Sequence, residues 1–192
     1  MSGIVLPLCT YFYVYTMKKL KLQELGRISP QEYKDAEKIP VIIVLDNIRS
    51  LHNVGSAFRT ADAFLVDKII LTGITGTPPN REIHKTALGA TESVPWEYQE
   101  STAIAVQRLK QTGYRIVIVE QTDESLPLQK MVFEADEKYA LVFGNEVNGI
   151  SDEIIPLADA AVEISQSGSK HSLNVSVCLG IVVWNVFRQL RL

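Results

Sequence analysis

The chain alternates short apolar runs with longer segments at helical spacing. The runs "VIIVL" (41–45), "KIILT" (68–72), "RIVIV" (115–119), "YALVF" (139–143) and "AAVEI" (160–164) are rich in valine and isoleucine and bounded by polar residues or glycine. That pattern predicts strands, and continuous rather than alternating apolarity predicts strands covered on both faces. Between them, Val54, Ala57, Phe58, Ala61, Phe64 and Leu65 form one stripe at helical spacing. "STAIAVQRLKQTG" (101–113) has a serine start and a glycine stop, and "SDEIIPLA" opens on Ser151 with acids in its first turn. A last helix from about Leu173 to Leu190 is apolar nearly all round, which predicts burial in the domain or in a dimer interface. Strand–helix alternation predicts an α/β fold with a mainly parallel sheet and helices on both faces. The glycine- and proline-bearing stretch 72–85 is expected to be a mobile loop.

The length of 192 residues fits one domain with a real core. A net charge of −3 supplies no global basic field, so any nucleic-acid contact must rest on local patches. Cys9 and Cys178 lack partners at metal-ligand spacing, and the three histidines lie far apart, so no metal site is expected. A reduced, cytoplasmic protein is the simplest reading. The apolar residues 1–16 carry their positive charges after, not before, the apolar stretch, and are short for a membrane span. They are expected to be an upstream extension ahead of a start at Met17. Residues 1–40 are then an extension with a lead-in helix, and 41–192 the functional domain.

Three strand ends carry unusual polar sequence. "DNIRSLHNVGSAFRTADAF" (46–64) sets Asn53 to cap a helix starting near Val54, with Gly55 and Arg59 beyond it. Such a helix start suits an anion, but for this segment alone a plain capped helix with a solvated arginine is the better explanation. "LVFGNEVNGIS" (141–151) runs a buried strand into Gly144 and Glu146, which reads as a ligand-facing turn or a tight turn with an exposed acid. "ISQSGSKHSLNVSV" (164–177) ends a strand at Ile164 and opens the last helix; capping by Ser172 leaves Asn174 without a reason.

Together, "NVGSAFRTADAF", "LVFGNEVNGIS" and "SLNVSV" resemble, in order and separation, the three motifs of the SpoU (TrmH-like) family of RNA ribose 2′-O-methyltransferases in the SPOUT superfamily. The resemblance covers about Val41 to Leu190. It implies a C-terminal deep trefoil knot, a homodimer completing the catalytic site, and S-adenosyl-L-methionine as methyl donor. It implies cofactor contacts at Val119, Glu120, Gln121, Gly144, Ile164, Ser172 and Leu173. It makes Arg59 the key catalytic residue, with Asn53, Glu146, Ser172 and Asn174 at the family's other active-site positions, and it needs no metal. An arginine is a poor base, so phosphate clamping is its expected role. Ser165 stands where the family's third motif usually has proline, so that loop lacks the usual rigidity.

The substrate implied is RNA, tRNA ahead of rRNA, and "VVWNVFRQL" is similar to the family's tRNA guanosine methylases. Arg49, Arg81, His84 and Lys85 are candidate RNA contacts, as are the basic residues from Lys18 to Arg27, although solvated surface explains each as well. His52 and His171 flank the site, and Trp96 and Trp184 are expected in the core. A non-catalytic RNA-binding module of the same fold is the alternative. A nicotinamide enzyme is excluded because no strand end supplies the glycine-rich fingerprint.

Overall fold

The computed structural model describes residues 17–192. The expectation about 1–16 lies outside the described residues. Seven strands form one all-parallel sheet: β1 (Ile39–Asp46), β2 (Val66–Thr72), β3 (Trp96–Gln99), β4 (Tyr114–Val119), β5 (Leu126–Pro127), β6 (Lys138–Phe143) and β7 (Ala160–Glu163), in the order β3-β2-β1-β6-β4-β7-β5. The five strands expected from the apolar runs are present, and β3 and the two-residue β5 are additions. Short edge strands of mixed polarity give little apolar signal.

Alternation along each central strand feeds two cores. Val41, Ile43 and Leu45 pack with α2 (Leu51–Ala63) and α6 (Val175–Arg191), through Val54, Phe58, Leu179 and Val183. Ile42 and Val44 pack with α5 (Thr102–Gln111), through Ala105, Val106 and Leu109. Each such buried Val, Leu, Ile or Phe contributes about 1.5–3 kcal/mol. The lead-in is part of this body. Tyr33 of α1 (Pro30–Asp35) is buried, and its hydroxyl donates to the carbonyls of Val66 (2.8 Å) and Ala61 (3.3 Å).

Several expectations are corrected. "SDEIIPLA" forms turns and a 3-10 segment, Ile155–Leu157, instead of an α-helix. Pro156 cannot donate to an α-helical ladder and disfavours α geometry in Ile155. The second half of the expected loop 72–85 opens a helix, α3 (Arg81–Ala87), because Asn80 caps it by accepting from Glu82 N–H and Ile83 N–H. A further turn, α4 (Ala90–Ser93), follows. Within the chain the last helix buries one face, Leu179, Val182, Val183 and Val186, so the expectation of a dimer interface concerns the other face alone. On the other, Val177, Ile181 and Trp184 are exposed. Trp184 is thus not core: it lies in an aromatic cluster with Phe64 and Phe187. Trp96 is part-buried at the sheet edge. Among the described residues no helix is long and apolar enough to cross a membrane.

The register aligns Leu45 with Phe143, Phe143 with Val119, and Val119 with Val162. The carboxyl ends of β1, β6, β4 and β7 therefore lie level. The chain reverses direction across the sheet between β1 and β6, which is where an open parallel sheet offers a crevice.

Candidate active site

A cleft of about 590 Å³ opens beyond those strand ends. Its floor is Val119, Phe143 and Val162. Its walls are Glu120 and Gln121, the turn 144–149, Glu163 and Ile164, and the approach to α6 from His171 to Val175. The positions that the family resemblance implies for the cofactor, Val119, Glu120, Gln121, Gly144, Ile164, Ser172 and Leu173, line it, and so do Glu146 and Asn174. Three carboxylates, Glu120, Glu146 and Glu163, and no lysine or arginine, are in the lining.

Hydrogen bonds hold the walls. Glu120 Oε1 accepts from Gln121 N–H (2.8 Å) and Oε2 from Ile150 N–H (3.0 Å), tying the end of β4 to the 144–150 turn. Gln121 Nε2 donates to the carbonyl of His171 (3.0 Å), tying the same strand end to the α6 approach. The turn closes on itself through Asn145 and Gly149, whose backbone groups exchange 2.9 Å bonds. Gly149 has φ 70°, and a Cβ there would overlap the Glu120 carboxylate. A side chain at Gly144 would overlap the Gly149–Ile150 backbone, so loop packing requires glycine here.

Glu146 links the cleft to α2. Its carboxylate accepts from Arg49 N–H (2.9 Å), Ser50 N–H (3.0 Å) and Asn53 Nδ2 (2.9 Å). Burial opposes its ionisation, but the bonds from Arg49, Asn53 and Ser50 outweigh that and hold the carboxyl below the usual carboxylate range. A carboxylate so occupied positions its neighbours; it is a poor proton acceptor. Asn53 is consequently not the cap expected: α2 starts at Leu51, and Ser50 Oγ caps it by accepting from Asn53 N–H (3.3 Å). Likewise Ser172 does not cap α6. Asn174 does, its Oδ1 accepting from Ser176 N–H (2.9 Å) and Ser176 Oγ (2.6 Å). That leaves Asn174 Nδ2 as a donor at the cleft.

Arg59 is not in this cleft. It follows Asn53 by six residues, about 240° around the helix. It is exposed beside a separate cavity of about 400 Å³ with Phe64 and Lys85. Gly55 sits against α3, where a Cβ would overlap Thr86 Oγ1 and the Ile83 carbonyl, so its smallness serves helix packing and not an anion. Of the candidate RNA contacts, Arg49 enters the Glu146 network only through its backbone, and Arg81 and His84 line a third cavity. Lys85 pairs with Glu82 (2.7 Å), as does His52 (3.0 Å).

Sequence reading missed a buried network behind the cleft. Asp46, fully buried at the end of β1, accepts from Thr102 Oγ1 (2.6 Å), Asn47 Nδ2 (2.9 Å) and Ser151 N–H (2.8 Å). Asn47, at φ 55°, accepts through its carbonyl from Asn145 Nδ2 (2.6 Å). An acid ending an apolar run was the available signal, but its partners lie up to 105 residues away. Cys178 also lines the cleft, and burial, with Glu120 adding, pushes its thiol up to about 11. Among the described residues no group of three or more His, Cys, Asp or Glu could hold a metal ion.

The chain and its fold are similar to known proteins. Residues 40–184 match the SpoU rRNA Methylase family. A Staphylococcus haemolyticus protein named for the TrmH family of tRNA/rRNA methyltransferases is 30% identical over 92% of this chain and 77% of its own length. The fold is similar to the A. aeolicus TrmH/SpoU tRNA modifying enzyme, with a TM-score of 0.73 and 28% identity over 83% of this chain and 79% of that one. It is also similar to the AdoMet-bound rRNA methyltransferase from Sinorhizobium meliloti, at 0.73 and 26% over 81% of this chain and 59% of that one. The matched span contains both the sheet and the three polar segments that meet at its carboxyl edge, and the chain belongs to the SpoU rRNA Methylase family.

Proposed function

We propose that the chain transfers a methyl group from S-adenosylmethionine to a ribose 2′-hydroxyl of RNA, tRNA ahead of rRNA. The observation that carries this reading is the cleft itself, which gathers two of the three polar segments and carries three carboxylates with no lysine or arginine. A sulfonium compound is a cation, and such a lining suits it. Apolar walls from Val119, Phe143, Ile164 and Leu173 suit an adenine ring, and the volume falls within the range of small-molecule sites. The cofactor, when bound, supplies an electrophilic methyl group. The C-terminal trefoil knot belongs to the same reading, with the loops at 119–121, 144–150 and 164–173 as its cofactor-binding bundle. Residues 41–192 are assigned as the catalytic domain, and a cytoplasmic location goes with the substrate.

The residues of this chain then divide the work. Glu146 holds the first turn of α2, and with it Asn53, against the cleft. Asn174 Nδ2 and the Ser172 hydroxyl are donors or acceptors for the ribose at the cleft mouth. Arg59 clamps a phosphate of the substrate, since a guanidinium matches phosphate oxygens bidentately and stays protonated. A 2′-hydroxyl is a weak nucleophile, so holding it in line with the methyl group supplies much of the rate.

Arg59 lies too far round α2 to serve the cleft of its own subunit, which supports a site shared between two copies. The exposed strip Val177, Ile181 and Trp184 begins at the cleft mouth and meets Phe64, which lines the Arg59 cavity. A two-fold pairing across this strip buries it and carries each Arg59 toward the partner's cleft. The test of the function is ribose-methylation mapping of total RNA from cells with and without the protein. One lost 2′-O-methyl position on deletion, restored by the wild-type chain, is expected; unchanged maps refute it and favour the non-catalytic RNA-binding alternative.

A further inference from the structure

The third cavity, between α3, α4 and β3, has no part in the reading above. Its volume is about 590 Å³, and Pro78, Pro79 and Trp96 supply apolar and aromatic wall. Arg81 and His84, both exposed, stand one turn apart on α3 and line the same cavity, with Glu92 across from them on α4. Among the described residues neither the Arg81 nor the His84 side chain forms a hydrogen bond or ion pair. Neighbouring cations are engaged: Lys85 with Glu82, Lys68 and Arg108 with Glu97. Two uncommitted donors beside a tryptophan at the sheet edge are a combination that charge solvation alone does not require.

We infer that this cavity is a nucleotide subsite for an unpaired cytidine or adenosine of the substrate RNA, outside the residue that is methylated. The base packs against Trp96 and the prolines, as bases pack on aromatic faces in single-strand sites. The phosphate lies on Arg81 and His84. Glu92 accepts from the exocyclic amino group, the pairing a carboxylate makes with cytosine N4–H₂. A site for free phosphate would not need an aromatic wall and would be weakened by Glu92. A uracil offers no exocyclic donor, so the carboxylate disfavours it. The cavity and Arg59 flank the same helix α3, through Lys85 and Thr86, so a strand crossing α3 reaches both. The inference rests on RNA being the substrate.

The test uses the full chain and fluorescein-labelled hexamers, rC6 and rU6, followed by anisotropy at fixed salt. The wild type is expected to bind rC6 at least fivefold more tightly than rU6. Arg81→Ala/His84→Ala is expected to weaken rC6 binding fivefold or more, and Glu92→Gln to bring the two hexamers within twofold of each other. All three side chains are exposed, and a circular-dichroism melt checks that the variants fold. A change below fivefold in the double variant, or equal binding of the two hexamers by the wild type, overturns the inference. S-adenosylmethionine binding by calorimetry and RNA methylation are read on the same proteins. If both persist while the hexamers ignore Arg81 and His84, the subsite falls and the methyltransferase reading stands. If both are absent while hexamer binding depends on Arg81 and His84, the methyltransferase reading falls and the cavity remains an RNA site.

Discussion

Replacing Glu146 by glutamine keeps the side chain's shape but removes its charge and turns one acceptor into a donor. In the wild type, Oε1 accepts from Ser50 N–H and Asn53 Nδ2, and Oε2 from Arg49 N–H. A glutamine can present its oxygen to the first pair, and its amide then faces Arg49 N–H, donor against donor. One bond is lost, and two fall from charge-assisted to neutral strength, each a change of about 1 kcal/mol. The carboxylate is largely solvent-accessible, so screening reduces the sum to about 1–2 kcal/mol. For a chain of this length that is about 3–6 °C in melting temperature. Because the folded carboxyl titrates below its ordinary value of 4.5, its stabilisation is fully present above that value and is lost as pH falls through the folded value. Melting curves of wild type and Glu146→Gln at one protein concentration should therefore differ at pH 7 and converge in the acid range. A difference below about 1 °C at pH 7, or one that persists undiminished at pH 3, would show that the carboxylate does not tie the cleft to α2.

Arg59→Ala should cut kcat/KM for RNA by about a hundredfold or more, the size expected for losing a positioned charge, while calorimetric S-adenosylmethionine affinity stays within twofold. Asn174→Asp keeps the capping oxygen but deletes the donor at the cleft; each variant alone should be nearly inactive, and mixed dimers of the two should regain activity, with no recovery refuting a shared site. Gly149→Ala forces a side chain onto Glu120 at φ 70°, so it should cost about 1–3 kcal/mol in a denaturant melt and weaken cofactor binding in calorimetry. Cys178 should be nearly inert to a thiol reagent in a Cys9→Ser background, since with its thiol at about 11 only about one molecule in a thousand is thiolate at pH 8; rapid labelling in the native state would contradict the burial.

The cleft also accounts for its own glycines and amides. Gly144, Asn145 and Gly149 make a turn that the Asp46–Asn47 network holds on both sides, through Asn145 Nδ2 on the Asn47 carbonyl and Ser151 N–H on the Asp46 carboxylate. That chain of contacts is how the end of β1 and the end of β6, neighbours across the point where the sheet reverses direction, act as one support.

Apolar periodicity alone determined the five central strands, α2, α5, α6 and the parallel α/β class, because the burial that drives folding is written locally as runs and stripes. The motifs together also pointed to the strand ends beside which the cleft lies. Only the tertiary structure decided what each polar residue does there. Ser50 caps α2 where Asn53 was expected, and Asn174 caps α6 where Ser172 was the alternative, since capping depends on backbone geometry at one residue that composition does not fix. Gly55 answers to Thr86 and Ile83 across a helix interface, not to an anion. Arg59 shares a motif with Asn53 but faces away from the cleft, because six residues along a helix turn a side chain to another side. Asp46 ends a strand in sequence and anchors a network in space, for its partners arrive from residues 102 and 151 only when the sheet has formed.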